Sequence, residues 1–377
     1  MNRTAVVGIF LVAVFALGAT APGVVDHATD DTVSSGGGEI SPGVVDTSQA
    51  IRIALYDCGW NNRYFNGIFN YSWTQGDRSF RFEVSVVDAD DVRGHGDVSF
   101  DIERFDVLLI GASASAYLID GVDEAWRDAV QRFIAAGGGY VGICGGANTA
   151  SMGFEEPRSL FQRRVNRGVL RIADVYINDD VVGEWQYLLK FGFDAFSRDH
   201  DNGSYPYYAS VETLVADSHP IFAPYEGDVR HITYAGGPGM TPAGQGDSLH
   251  GQVSTLLRYS EEPMETMPLH YWRASLHGWT IWKNVTTDIK DSAAAVATTY
   301  GEGNVVLYGP HPEHRVVVNG TVREYLGHGI PNFAGPVERY VFNYFGELLG
   351  EEYNWWIVRR SVAWAAGLSQ PELPPVG

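Results

Sequence analysis

The stretch from residue 123 to 152, DEAWRDAVQRFIAAGGGYVGICGGANTASM, limits the fold more than any other part of the chain. Apolar residues at Ala125, Val130, Phe133 and Ile134 repeat at helical spacing, and three glycines end the run. YVGIC (140–144) follows without a polar break, as a strand buried on both faces does. Small residues then open the next predicted helix at Ala147–Met152. Upstream, IRIALYD (51–57), FRFEVSVVDA (80–89) and FDVLLIGAS (105–113) read as three more strands. A helix is expected to begin around Phe65–Tyr71. Strands alternating with helices, several of them continuously apolar, imply an α/β fold with right-handed crossovers. Residues 51–154 therefore read as the first half of a doubly wound domain.

The middle of the chain, about 155–300, is richer in turn residues and aromatics. VLRIADVYI, YYASVETLVA and ASLHGWTIWK are strand-like, and the segment reads as a strand-rich insertion in the same domain. NVVLYGPHPEH (304–314) returns to the earlier pattern of apolar strand and turn. PVERYVFNYFGELLG (336–350) and NWWIVRRSVAWAAGL (354–368) are expected as two closing helices, with Trp355, Trp356 and Trp364 packing the core. The α/β domain then spans 51–368, and residues 369–377, with three prolines, read as a tail.

Residues 1–21 have one arginine, an apolar run from Ala5 to Leu17 and Ala19-Thr20-Ala21, which read as a signal peptide or, alternatively, an uncleaved N-terminal anchor. Residues 22–50 are rich in Gly, Ser, Thr and Asp and read as a disordered tether. The expected location is secreted or cell-surface, with a membrane tether only through the N-terminal segment. Forty-six acidic residues against 26 basic give a net charge of −20, which argues against nucleic-acid binding. Runs such as Asp88-Ala89-Asp90-Asp91 read as solvated faces.

Two cysteines, Cys58 and Cys144, are too few for a disulfide scaffold. They read as two independent thiols, with a bridge between them as the alternative. Cys144 ends a strand and is flanked by Gly142, Gly145, Gly146 and Ala147. A nucleophile elbow needs this absence of bulk, because its backbone is strained and its neighbours lie close. The sulfur would sit at a helix N-terminus, which favours negative charge, with the Gly145 N–H placed to hold an oxyanion. The simpler alternative is a buried cysteine acting as a small hydrophobe. His311 follows the apolar strand VVLYG, so a strand parallel to YVGIC would bring both to one sheet edge. Glu313 is placed to orient that imidazole. The alternative for His311 is a rigid Pro-His-Pro surface turn. His314 reads as a surface neighbour. With Glu313 it could mimic a ligand pair, but no histidine pair has clean metal spacing and no convincing phosphate loop is present, so neither metal nor cofactor is expected.

GGGYVGICGGA followed by YGPHPE resembles the class I glutamine amidotransferase-like superfamily, within it the group similar to the N-terminal domain of biotin–protein ligases. The similarity covers roughly 51–349 and is strongest at these two motifs. The resemblance implies a flavodoxin-like, mostly parallel sheet and a Cys-His-Glu triad: Cys144 the nucleophile, His311 the base, Glu313 its orienter. It places oxyanion contacts at Gly145 and at the Gly111-Ala112 turn, and it matches YAGGPGM, with Gly236 and Gly237, to a pocket-lining turn. An ordinary glycine turn is the alternative there. Two positions depart from the family's pattern: IGASAS replaces a Pro-Gly-Gly-like turn, and Cys-Gly-Gly-Ala replaces Cys-Ala-Gly-Ala. No ATP-consuming synthase domain accompanies the motifs, so hydrolysis of an amide, peptide or ester in a small-molecule or peptide substrate is expected. A binding module with an idle triad is the second reading, and a structural envelope protein the third.

Overall fold

The computed structural model describes residues 48–57, 61–111, 122–158, 160–178, 210–266, 268, 270–284, 286–326 and 337–377. Its strands are β1 (Gln49–Tyr56), β2 (Ser72–Gln75), β3 (Arg78–Val87), β4 (Val107–Ile110), β5 (Gly139–Ile143), β6 (Val175–Asn178), β7 (Ser210–Val215) and β8 (Val229–Thr233). They continue with β9 (Gly239–Pro242), β10 (Ser254–Tyr259), β11 (His270–Ser275), β12 (Gly278–Asn284), β13 (Ala293–Tyr300), β14 (Gly303–Tyr308), β15 (Val317–Leu326) and β16 (Val337–Leu348). The α-helices are α1 (Ala89–Val92), α2 (Glu124–Ala135), α3 (Gly145–Ala150), α4 (Leu160–Gly168), α5 (Pro263–Thr266) and α6 (Trp355–Ala365).

The doubly wound core is legible in the strand order. β3, β1, β4, β5 and β14 lie side by side and every pair among them is parallel. In chain order this is 2-1-3-4-5, the flavodoxin-like arrangement. Alternation along the strands divides the core between two faces. Ile53, Leu55, Leu109, Val141 and Ile143 pack on one face with Trp355, Ile357 and Val358 of α6. Ala54, Leu108, Ile110 and Tyr140 pack on the other with Trp126, Val130 and Phe133 of α2. A strand covered on both faces reads as a continuous apolar run, hence VLLI and YVGI.

Most of the insertion extends this sheet, while β11 and β12 within it join a separate, smaller sheet. β13, β10, β7 and β8 follow β14 in turn, each antiparallel to its neighbour, and β9 and β6 branch from β13. β8 is four strands from β14, yet Thr233 at its end bridges to His311 in the turn after β14. The sheet therefore rolls until its far strand meets the turn beyond β14. Strands β12-β11-β16-β15 form a second, smaller sheet.

Several expectations are corrected. Residues 336–350 are not a helix: β16 pairs antiparallel with β15 along most of its length. Val, Tyr and Phe dominate that run, and such residues form strands when a partner is available. The segment before β2 is a 3₁₀ helix, Asn61–Ile68, that ends where an α-helix was expected to begin. β1 begins at Gln49, so Gln49 and Ala50, expected in the tether, belong to the sheet. Asp88 and Asp90 are exposed as expected, but Asp91 is buried, and Asp88 and Asp91 form a reciprocal capping box at the start of α1. The C-terminal tail is packed. Leu373 is fully buried, Trp73 Nε1 donates to the Glu372 carbonyl (2.9 Å) and Gln75 Nε2 to that of Leu373 (3.1 Å). Residues 1–21 and most of 22–50 lie outside the described residues, and among the described residues no helix is long and apolar enough to cross a membrane.

Arg360 of α6 holds the tail in place. Its buried guanidinium donates to the carbonyls of Ile221 (2.7 Å), Pro374 (2.6 Å) and Pro220. Replacing it by methionine leaves those acceptors without a charged donor. Arg360→Met is expected to cost about 3 kcal/mol in denaturant unfolding; a cost under about 0.5 kcal/mol would show that the tail does not depend on it.

Candidate functional site

Cys144 is the first residue beyond β5, and its backbone takes φ 52°, ψ −101°, a region that L-residues rarely adopt. Close packing on both sides keeps it there. A Cβ on Gly142 would fall 2.7 Å from the Gly146 backbone, and one on Gly146 would fall 2.2 Å from the Ile110 carbonyl oxygen. The Tyr140 hydroxyl donates to the Gly146 carbonyl (2.7 Å), and Asn148 N–H to that of Cys144 (3.0 Å). α3 therefore starts directly at the thiol, and Gly145 contributes one of the N–H groups that have no intrahelical acceptor. Cys144 is a free thiol, 9% exposed.

β14 continues this rim. Its parallel pairing with β5 runs from Val305↔Tyr140 to Tyr308↔Ile143, and Cys144 N–H donates to the Tyr308 carbonyl (2.7 Å). Three residues on, His311 N–H donates to the Thr233 carbonyl (2.7 Å), while Thr233 Oγ1 donates to the Arg315 carbonyl (2.8 Å). Thr233 thus clamps both ends of the His311–Arg315 turn. His311 Nδ1 donates to Glu313 Oε1 (2.7 Å), and both side chains are 2% exposed. His311 Nε2 and Glu313 Oε2 are buried; Oε2 makes no hydrogen bond, and besides Glu313 the partner that acts on the His311 ring is Cys144. Cys144 stands beside the ring, close enough to act on its charge.

Burial alone would push His311 down. The Glu313 carboxylate and the Cys144 sulfur outweigh it and raise the imidazole to about 10. Burial would also raise Glu313, but His311 and His314 hold its carboxyl below the usual range. These directions describe a buried imidazolium–carboxylate pair. His314 is not the surface residue expected. Its ring lies 5.0 Å from that of His311, its Nε2 is 3.8 Å from Glu313 Oε1, and its side chain is 18% exposed. Burial pushes it down to about 4 against the pull of Glu313.

Cys144, Gly145, His311 and Glu313 are therefore assembled on one rim. The YAGGPGM turn reaches it as well. A Cβ on Gly237 would lie 1.8 Å from the Gly309 carbonyl oxygen, and Gly236 takes φ +85°. The turn packs closely against the residues that lead into His311. Gly111 sits under Phe65, whose ring would be 2.6 Å from a Cβ there. Ala112 and Cys58 lie outside the described residues. Sequence reasoning missed Thr233, for which no local signal exists, and it read His314 as exposed, although the His-x-Glu-His spacing places it beside Glu313.

No protein-family model matches the chain, and no curated protein matches it. Among solved structures it is similar to a ThuA-like protein of Parabacteroides merdae ATCC 43184, with TM-score 0.39, 12% identity, and 84% of this chain and 90% of that one covered. A ThuA-like protein of Bacteroides uniformis ATCC 8492 matches with TM-score 0.34, 12% identity, and 72% and 86% covered. A β-galactosidase of Bacillus circulans sp. alkalophilus matches with TM-score 0.34 and 10% identity over 70% of this chain and 29% of that enzyme. The fold assignment rests on this chain's own 2-1-3-4-5 strand order.

Two outcomes follow from this geometry. If the elbow is strained, Cys144→Gly relieves it and Cys144→Ala does not. The glycine variant is expected to be the more stable of the two by about 1 kcal/mol in chemical denaturation. The second concerns pH. His311 is raised from 6.5 to about 10, so its contribution to stability is complete below about pH 6.5 and is lost as pH rises to about 10. Glu313 is lowered, so its contribution is present above about pH 4.5 and is lost on acidification. The stability advantage of wild type over the neutral pair His311→Gln/Glu313→Gln is therefore expected to shrink steadily between pH 6.5 and 10. A constant difference would mean that no such pair forms.

Proposed function

We propose that this protein is an exported, cysteine-dependent hydrolase of the amidotransferase-like superfamily, in the group resembling the N-terminal domain of biotin–protein ligases, acting on an amide, peptide or ester bond. The observation that carries the reading is the strained Cys144 elbow beside a buried His311–Glu313 pair on whose ring the Cys144 sulfur acts directly. An elbow at φ 52° is costly, and such strain gathers at functional sites.

Each residue then has one task. The Cys144 thiolate attacks the substrate carbonyl carbon, and the C=O electron pair moves onto oxygen. The Gly145 N–H supports that oxyanion. As the tetrahedral intermediate collapses, the imidazolium of His311 gives its Nε2 proton to the departing nitrogen or oxygen, leaving an acyl-thioester. The now neutral ring takes a proton from water, the resulting hydroxide attacks the thioester, and sulfur leaves as thiolate. Glu313 holds the ring through Nδ1 and balances its charge throughout. With Cys144 only 9% exposed, a narrow acyl group at the end of a chain fits better than a folded protein.

The signal-like N-terminus supports export, with an uncleaved anchor as the alternative. The test is covalent labelling of the purified protein with a carbonyl electrophile built on a γ-glutamyl or peptide amide. Wild type is expected to label at Cys144. Cys144→Ser is expected to lose the label and Glu313→Gln to slow it by about 10-fold or more. Equal labelling of wild type and Cys144→Ser would leave a binding module on the same fold.

A further inference from the structure

We propose that His311, Glu313 and His314 form a binding site for one divalent transition-metal ion of the zinc class, and that filling it turns the Cys144 site off. Only the second half rests on the reading of Cys144 as a nucleophile.

Two imidazole nitrogens and a carboxylate oxygen are a donor set that zinc and its neighbours in the first transition row bind. Here they come from four consecutive residues, and one ligand atom from each lies within 4.8 Å of the other two. A tetrahedral ion with bonds of about 2.1 Å needs donors about 3.4 Å apart. The separations of 2.7 Å (His311 Nδ1 to Glu313 Oε1) and 3.8 Å (His314 Nε2 to Glu313 Oε1) bracket that value, and the three ligand atoms together stay within 4.8 Å. A second observation points the same way. Glu313 Oε2 is buried without a hydrogen-bond partner, on a side chain 2% exposed. A carboxylate that has lost its water and has one unused oxygen gains most from a cation. His314, 18% exposed, gives the ion its way in from solvent.

The chemistry balances without redox change. The ion accepts the lone pair of His311 Nδ1, and the proton on that nitrogen leaves to water. Glu313 and the neutral ring of His314 donate lone pairs with no further proton loss, and water fills the fourth position. His311 then loses both its positive charge and its bond to Glu313. The dication keeps positive charge near Cys144, but the proton left on Nε2 belongs to a neutral, metal-bound imidazole, so the leaving group loses its acid.

The experiment uses the full-length protein with Zn²⁺ and, as a spectroscopic substitute, Co²⁺. Titration calorimetry of wild type is expected to give one Zn²⁺ per chain. Electrophile labelling of Cys144 is expected to fall at least about 10-fold on saturation and to return with a chelator. His314→Gln is expected to bind Zn²⁺ at least about 10-fold more weakly, and the ratio of its labelling with and without Zn²⁺ is expected to rise toward one. Absence of Zn²⁺ binding by wild type, or unchanged binding by a folded His314→Gln, overturns the proposal. Wild type alone also tests the donor set: bound Co²⁺ is expected to show ligand-field bands without a sulfur charge-transfer band, and that band would identify the thiolate as the ligand instead. If metal-free wild type does not label at all, the hydrolase reading fails while the calorimetry still decides the metal site.

Discussion

The parallel pairing of β5 with β14 is the constraint on which the candidate site depends. It ends in the Cys144 N–H to Tyr308 carbonyl bond at 2.7 Å, which fixes the register of the two strand ends. A slip of one residue would turn Cys144 toward the opposite face of the sheet and separate it from the turn that carries His311. The pairing is secured from below by groups with no chemistry of their own. Tyr308 donates its hydroxyl to Ser361 Oγ (2.7 Å), and Ser361 in turn donates to the Ile357 carbonyl (2.7 Å) in α6. The helix that closes the fold thereby braces the strand that presents the histidine.

The buried charge pair is expensive, and the surrounding turn explains how it is tolerated. An imidazolium and a carboxylate, each 2% exposed, lose nearly all their hydration. Their mutual bond and the neighbouring Cys144 sulfur recover part of this, but Oε2 remains without a partner. A core selected for stability alone would place apolar side chains there. The rigid backbone, clamped by Thr233 on both sides, prevents the turn from opening to solvate the pair. The fold thus pays locally for a group kept charged and undersaturated.

Much of this was legible in the sequence, for physical reasons that also mark where reading stops. The elbow could be read because strain and close packing demand particular residues: Gly142 and Gly146 sit where any Cβ would strike backbone. The parallel strands could be read because burial on both faces leaves no room for polar residues, as in VLLI and YVGI. β16 could not, because Tyr340, Val341, Tyr344 and Phe345 satisfy a helical spacing as well as a strand's, and only the partner β15 decides. His314 was misjudged for a related reason. Local spacing shows that it neighbours Glu313, but only the fold shows that the turn points its ring inward.

The antiparallel extension also changes how the insertion is understood. Strands added to the edge of a doubly wound sheet normally lie far from its catalytic rim. Here each antiparallel step adds twist, and after four strands the end of β8 comes back to the rim and hydrogen-bonds His311 itself. The YAGGPGM turn leaves β8 at that point, and Gly237 lets it approach the Gly309 carbonyl more closely than any side chain would allow. The insertion is therefore part of the site's support. Its length matters because a shorter extension would not reach around, and the small residues at its end matter because a larger one would hold it off.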